Sequence, residues 1–192
     1  MTDVDDRFIS ALKDLVLLLE RDPMGMVIGG IAVAAVGYPR ATTDIDATVL
    51  VPLDQLASFQ KQSAERWIVP RIEGALEFAR SHHVLLMRHL PSNIDIDISL
   101  AALPFEKEAI LNRQVVRFEE MSLFVPRVED LLVYKMVASR PQDIRDVESL
   151  LFRHFSKLDL DRVRREVRAF ADVLEQPGMS VELERLINAT KG

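Results

Sequence analysis

The stretch TDIDATVLV, residues 43–51, decides how the chain is interpreted. It alternates and then becomes wholly apolar, which predicts a β-strand over residues 44–51. Residues i and i+2 of a strand share a face, so Asp44 and Asp46 point the same way while Ile45 points into the core. Two such carboxylates repel each other unless a cation lies between them. An isolated Asp-x-Asp is more often a solvated strand edge, so the interpretation depends on the rest of the chain.

A second stretch, NIDIDI at residues 93–98, repeats this spacing and predicts another strand with Asp95 and Asp97 on one face. Asp is among the weakest strand formers, so two acidic strands in one small domain are hard to explain as surface decoration. If the two strands lie side by side, one carboxylate of the second completes a triad with Asp44 and Asp46. A divalent metal is the economical counter-ion, and two ions about 4 Å apart are the usual arrangement for in-line phosphoryl displacement.

Upstream of the first acidic strand, a glycine pair marks a strand-to-helix turn. A short apolar strand at residues 26–28 runs into Gly29 and Gly30, and an Ala-rich helix then ends near Gly37. Missing side chains let a ligand approach the backbone, and a helix N-terminus offers free N–H groups to a phosphate. Alone, such a pair more often reflects plain backbone geometry.

The rest of the chain predicts helix first, then mixed strands and helices, then helices only. Helices are predicted at 3–20, 53–64, 69–81 and 105–112, strands at 84–87, 94–100, 114–118 and 123–125, and helix throughout after residue 127. A turn at 91–93 makes the strands beside it an antiparallel pair. This order predicts an α+β fold with a small mixed β-sheet flanked by helices, in which a helical region, 127–192, packs on a core, 1–126.

Composition restricts the chemistry and the location. The chain of 192 residues has no Cys and 4 His, so any metal site must rest mainly on carboxylates, which favour hard cations. The acidic N-terminus and the lack of a long apolar run make a cytoplasmic location the expectation and a membrane partner unexpected. A formal net charge of −6 argues against a protein that coats nucleic acid.

Taken together, these motifs resemble the minimal nucleotidyltransferases of the polymerase-β-like superfamily, especially the branch of abortive-infection type IV toxins and their bacterial relatives. The resemblance covers roughly residues 26–151. It is carried by Ile28, Gly29, Gly30, Gly37, Arg40, Thr43, Asp44, Asp46 and Asp97, and later by Glu129, Asp130, Leu131 and Asp146. Residues 1–126 would then be the nucleotidyltransferase core.

The resemblance implies roles for individual residues. Asp44 and Asp46 match the metal-binding pair, and Asp97, which we prefer to Asp95, matches the third carboxylate, which also draws the proton from the acceptor hydroxyl. The implied metal is Mg²⁺ or Mn²⁺. Gly29 and Gly30 match the phosphate-cradling turn. A Ser or Thr commonly follows the second Gly in the family, whereas here Ile31 and Ala32 follow, so Thr43 or its neighbour would replace the hydroxyl and Arg40 would add positive charge.

The C-terminal motif VEDLLVYKMVASRPQDIRDVESLL, residues 128–151, matches the helical signature of the toxin branch. Lys135 and Arg140 would hold the triphosphate, provided that Pro141 breaks the helix at Arg140 and lets that side chain turn back. Asp143 and Asp146 would support them. The competing interpretation makes these residues partners in helix-surface ion pairs.

Two functions of different class follow. The first is a metal-dependent enzyme that moves an NMP from an NTP to a hydroxyl of RNA (tRNA included), protein or a small molecule, with a toxin–antitoxin pair, and thus an antitoxin partner, as one context. The second is a catalytically silent nucleotide-binding or protein-interaction module with the same fold, which the missing hydroxyl after Gly30 favours. The three Asp favour the enzyme more strongly.

Overall fold

A computed structural model describes residues 6–20, 24–37 and 42–191. The helices are α1 (Asp6–Leu19), α2 (Gly29–Val36), α3 (Leu56–Ala64), α4 (Ala75–His82), α5 (Pro104–Leu111), α6 (Val128–Ala138), α7 (Pro141–His154), α8 (Leu160–Val173) and α9 (Gly178–Lys191). The strands are β1 (Gly25–Val27), β2 (Ile45–Val49), β3 (Ile68–Pro70), β4 (Val84–His89), β5 (Ile94–Leu100), β6 (Gln114–Phe118) and β7 (Met121–Val125). The mixture confirms the predicted α+β class.

The central sheet contains five strands in the order β1-β2-β5-β4-β3. β2 and β5 run parallel, while the other neighbouring pairs are antiparallel, which makes the sheet mixed as predicted. β6 and β7 form a separate antiparallel hairpin. The two acidic strands are therefore direct neighbours at the middle of the sheet, which was the condition for a shared carboxylate site.

Alternation along β2 and β5 separates a buried face from an acidic one. Ile45, Ile96 and Ile98 are fully buried, whereas Asp46 and Asp97 between them are only half-buried. A strand turns successive side chains to opposite faces, so the Ile side chains anchor the sheet and leave the carboxylates on the other face. Burial of the Ile set offsets the poor strand propensity of Asp.

The helices α6–α9 share one hydrophobic core with the sheet. Leu131, Val147, Val163 and Leu186, one from each helix, belong to the same buried cluster as Ile96. The prediction that the chain after residue 127 is helical is confirmed. The division into a core at 1–126 and a helical region at 127–192 stays a prediction.

One predicted element is wrong. Residues 69–81 were expected to form a single helix, but Val69 and Pro70 belong to the edge strand β3, and helix α4 begins only at Ala75. Gly74 precedes it with a left-handed φ of 65°. The β-branched pair at 68–69 fits a strand beside β4, and tertiary pairing there outweighs helical periodicity.

No helix within the described ranges is both long enough and apolar enough to cross a membrane.

Candidate active site

Two carboxylates from different strands lie side by side. Asp46 of β2 is paired in register with Asp97 of β5, and the parallel ladder places both on the same face of the sheet. Neighbouring strands are about 4.8 Å apart, so the two side chains begin close together. Asp95 shares this face because it lies two residues before Asp97 on the same strand.

The glycine turn packs directly against this pair. Gly29 has a left-handed φ of 65°, and a Cβ there would overlap the Oδ2 atom of Asp46 and lie 2.8 Å from its Cγ. The backbone N–H of Ile28 donates to the carbonyl oxygen of Asp46 over 2.9 Å, which holds the turn against β2. Glycine adopts the left-handed φ without strain and leaves the Asp46 side chain undisturbed, whereas any larger residue would be strained and would displace that side chain. The first turn of α2, including the buried Gly30, is thereby fixed beside the carboxylate.

The pKa of Asp46 shows what surrounds it. Burial raises this pKa, the neighbouring Asp97 raises it further, and Asp44 adds a smaller upward effect. Lys135 and Arg140 oppose the rise. All four charged groups therefore act on one carboxylate, which places the α6–α7 corner beside the acidic strands.

At that corner, Asp143 bridges the two cations. Lys135 Nζ lies 2.9 Å from Asp143 Oδ1 and 2.9 Å from Asp146 Oδ2, and Arg140 Nε donates to Asp143 Oδ2 over 2.8 Å. Burial tends to raise the pKa of Asp143, but the hydrogen bonds from Arg140 and Lys135 lower it overall. Helix α6 stops at Ala138 because Ser139 is left-handed, and Pro141 opens α7. The predicted break is confirmed, one to two residues earlier than expected.

Lys135 and Arg140 differ in accessibility. Lys135 is buried between its two carboxylates, whereas the Arg140 side chain is 76% exposed. The ion pairs of Lys135 are thus interior contacts, not the helix-surface pairs of the competing interpretation. Binding of a triphosphate by either cation stays a prediction.

Sequence reasoning missed Arg71, which follows β3. Its Nη1 atom lies 2.6 Å from Asp97 Oδ1, and a second arginine, Arg88, holds Asp95 with its Nε atom 2.6 Å from Asp95 Oδ1. The Arg88 contact follows from antiparallel register, since Arg88 is paired with Asp95 across β4 and β5. Arg71 had no comparable signal, because its segment was interpreted as helix.

The remaining predicted residues lie at the edge of the site or outside the described ranges. Thr43 and Asp44 are exposed just before β2, and the Thr42 hydroxyl donates to the carbonyl oxygen of Asp44 over 3.2 Å. Arg40 lies outside the described residues. The nucleotide-binding roles of Thr43 and Arg40 stay predictions.

The donor chemistry of this face fits a hard divalent cation. Asp46 and Asp97 present adjacent oxygen ligands. Burial is the largest cause of the raised pKa of Asp46, and repulsion from the charge of Asp97 is the next largest. Across residues 6–20, 24–37 and 42–191, however, no three side chains of His, Asp or Glu lie close enough together to bind a metal ion. Asp97 is held by Arg71 instead. Metal ligation by Asp44, Asp46 and Asp97 stays a prediction.

A mixed sheet with a glycine turn beside two parallel acidic strands, followed by helices, is the minimal nucleotidyltransferase fold. The chain belongs to the family described as "Nucleotidyltransferase of unknown function (DUF6036)", whose model matches residues 6–184. This membership and the fold confirm the resemblance to minimal nucleotidyltransferases.

Solved structures with the same fold are distant in sequence. The antibiotic-resistance factor ANT(2'')-Ia is 13% identical with a TM-score of 0.61, covering 90% of this chain and 95% of that one. An antigenic nucleotidyltransferase-like protein from Paracoccidioides brasiliensis is 12% identical with a TM-score of 0.52, and the match covers 96% of this chain and 94% of that protein. JHP933 from Helicobacter pylori is 14% identical with a TM-score of 0.50, and the match covers 97% of this chain and 92% of JHP933. A search of curated proteins found no match.

Proposed function

We propose that this protein transfers an NMP from an NTP to a hydroxyl acceptor at the face formed by β2 and β5. The observation that carries the proposal is the in-register pair Asp46 and Asp97, with Gly29 packed so closely against Asp46 that any side chain there would displace the carboxylate. A carboxylate pair beside a helix N-terminus combines a place for cations with a place for phosphate oxygens.

In this reaction the acceptor oxygen attacks the α-phosphorus, the bond from that phosphorus to the bridging oxygen breaks, and pyrophosphate leaves. Asp97 accepts the proton of the acceptor hydroxyl. The N–H groups at Gly29 and Gly30 and the cations Lys135 and Arg140 bind phosphate oxygens. Mg²⁺ or Mn²⁺, held by Asp44, Asp46 and Asp97, would neutralise charge on the phosphates.

The candidate acceptors of this reaction fall into three classes. RNA, protein and small molecules all offer hydroxyls, and the resemblance to toxin relatives adds tRNA and an antitoxin partner to the set. The net charge of −6 favours an acceptor with a small footprint. An assay with α-labelled NTPs against tRNA, total protein and antibiotic small molecules would separate these classes by which product carries the label.

The activity is tested by Asp44→Asn combined with Asp46→Asn. We expect transfer of label from every NTP to be abolished, while the melting temperature stays the same or rises because clustered like charges have been removed. The control combines Asp54→Asn with Asp172→Asn, which changes the net charge equally at two exposed positions. Retained transfer in the site variant would refute the mechanism.

A second candidate, a silent nucleotide-binding module, is favoured by one observation. Arg71 already neutralises Asp97, so the third carboxylate is engaged within the chain. In this case an NTP with magnesium should stabilise the protein without any transfer of label. A ligand at 100 times its dissociation constant adds about 2.7 kcal/mol to the free energy of unfolding. Unchanged melting with every NTP would count against both functions.

A further inference from the structure

Arg71 is fixed over the acidic face from an unexpected direction. It follows β3 at the edge of the sheet, and its backbone N–H donates to the carbonyl oxygen of Leu86 over 3.0 Å. Its Nη1 atom also donates to the carbonyl oxygen of Met87 over 3.4 Å. The side chain is only 19% exposed. Two strand carbonyls therefore anchor the arginine, so its contact with the carboxylates is not a chance surface pairing.

The guanidinium of Arg71 contacts two of the acidic residues. Its Nη1 atom lies 2.6 Å from Asp97 Oδ1 and 3.6 Å from Asp95 Oδ2. Charge-assisted contacts as short as the first are the strong ones among protein hydrogen bonds. The carboxylate that the proposed function assigns to metal and proton transfer therefore already has a cation on one oxygen.

Asp95 offers the Arg71 guanidinium a second partner, so Arg71 can leave Asp97 without losing its ion pair. Asp95 is already within 4 Å of Arg71, and Arg88 Nε also holds Asp95 at 2.6 Å. Within the described part of the chain, Arg88 forms an ion pair with Asp95 but none with Asp97. The face thus contains one arginine that contacts Asp97 and one that contacts only its neighbour.

We propose that Arg71 is a positioning residue that holds Asp97 until a divalent cation takes its place, and that it then pairs with Asp95. This inference rests on the proposed function, because it concerns the carboxylate assigned there to the cation. The Arg71–Asp97 pair and the cation compete for the same oxygen, and two cations close together also repel each other. Asp95, which sequence reasoning treated as supporting, becomes the alternative partner that makes the exchange possible.

The test measures binding of Mn²⁺ without nucleotide, by calorimetry and electron paramagnetic resonance. Arg71→Gln removes the competitor, so Mn²⁺ should bind about tenfold more tightly than to the wild type. Arg88→Gln is the matched control: it removes an arginine from the same acidic face but leaves Asp97 paired, and its affinity should stay within about twofold. Arg71→Gln should also lower the melting temperature of the metal-free protein, and saturating Mn²⁺ should reverse this loss.

An Arg71→Gln protein that binds Mn²⁺ no more tightly than the wild type would overturn the inference. Wild type that binds no Mn²⁺ at all would overturn the proposed metal-dependent function instead, so the two failures are distinguishable. If Arg71→Gln does not fold, the wild type is titrated with Mg²⁺ while the side-chain ¹⁵N resonances of its arginines are followed. The Arg71 resonance should shift more than that of Arg88, and an unshifted Arg71 resonance in protein that binds Mg²⁺ would overturn the exchange.

Discussion

Lys135→Met tests whether the buried lysine supports the fold, the nucleotide or both. Methionine keeps the apolar stem of the side chain but removes the ammonium that lies 2.9 Å from both Asp143 and Asp146. Lys135 is 5% exposed and each Asp is 2% exposed, so water cannot replace the lost contacts. Removing one partner of a buried pair costs about 3–5 kcal/mol, because the remaining charges are left uncompensated.

Urea denaturation measures this loss directly as a change in the free energy of unfolding. A loss of about 3–5 kcal/mol corresponds to a drop of roughly 6–20 °C in melting temperature for a chain of this size. The control is Arg145→Met on α7, an exposed residue whose guanidinium donates to Gln142. It should change the free energy by no more than about 0.5 kcal/mol.

A second variant separates uncompensated charge from lost packing. Adding Asp143→Asn to Lys135→Met removes one of the stranded carboxylates, so part of the lost stability should return and the two effects should not add. The resemblance led us to expect a triphosphate contact, which would give lost NTP use with little change in stability. If Lys135→Met keeps its stability within about 0.5 kcal/mol while NTP use disappears, the argument from burial is refuted.

Two further predictions concern the other side of the site. Gly29→Ala should lower the free energy of unfolding by more than the roughly 1–3 kcal/mol that a strained left-handed residue costs, because the added Cβ also overlaps Asp46. Gly178→Ala is the control and should cause no such loss, because no atom lies within 4 Å of a Cβ there. Urea denaturation of both variants checks this, and equal stability would contradict it. Asp46→Asn should be more stable than the wild type at pH 7, because the raised pKa of Asp46 means that its ionised form costs folding energy. This stability advantage of Asp46→Asn should shrink as the pH falls through the pKa of Asp46 in the folded protein. Urea denaturation of both proteins over a range of pH measures it, and an advantage that grows in acid would contradict the prediction.

The acidic strands show what sequence can predict. Alternation of Ile with Asp determined both the existence of β5 and which side chains share its acidic face, because strand periodicity is local. The same pattern predicted β2, but that strand begins only at Ile45, so the shared face expected for Asp44 and Asp46 does not follow from strand geometry. Local periodicity does not tell whether the two strands are neighbours. The sheet order establishes that they are, and the register then places Asp46 opposite Asp97.

The α6–α7 corner was predictable in part. Pro141 indicated a break and the paired cations were identified, since proline restricts the preceding residue. The left-handed Ser139 and the burial of Lys135 depend on how α6 packs against α7, which no local pattern encodes. Asp143 was considered a supporting residue, but the structure shows that one carboxylate, through its two oxygens, joins both cations.

Arg71 could not be found from sequence, because its contact joins the turn after an edge strand to a strand more than twenty residues later. Arg71 and Arg88 neutralise the β5 carboxylates from one side, while Lys135 and Arg140 are held by Asp143 at the other. Among the residues that the structure describes, no Lys, Arg or His forms an ion pair with Asp46. Among the described residues, the charge of Asp46 beside the glycine turn is therefore offset only by Lys135 and Arg140 from beyond ion-pair distance, and an added cation would stabilise its ionised form.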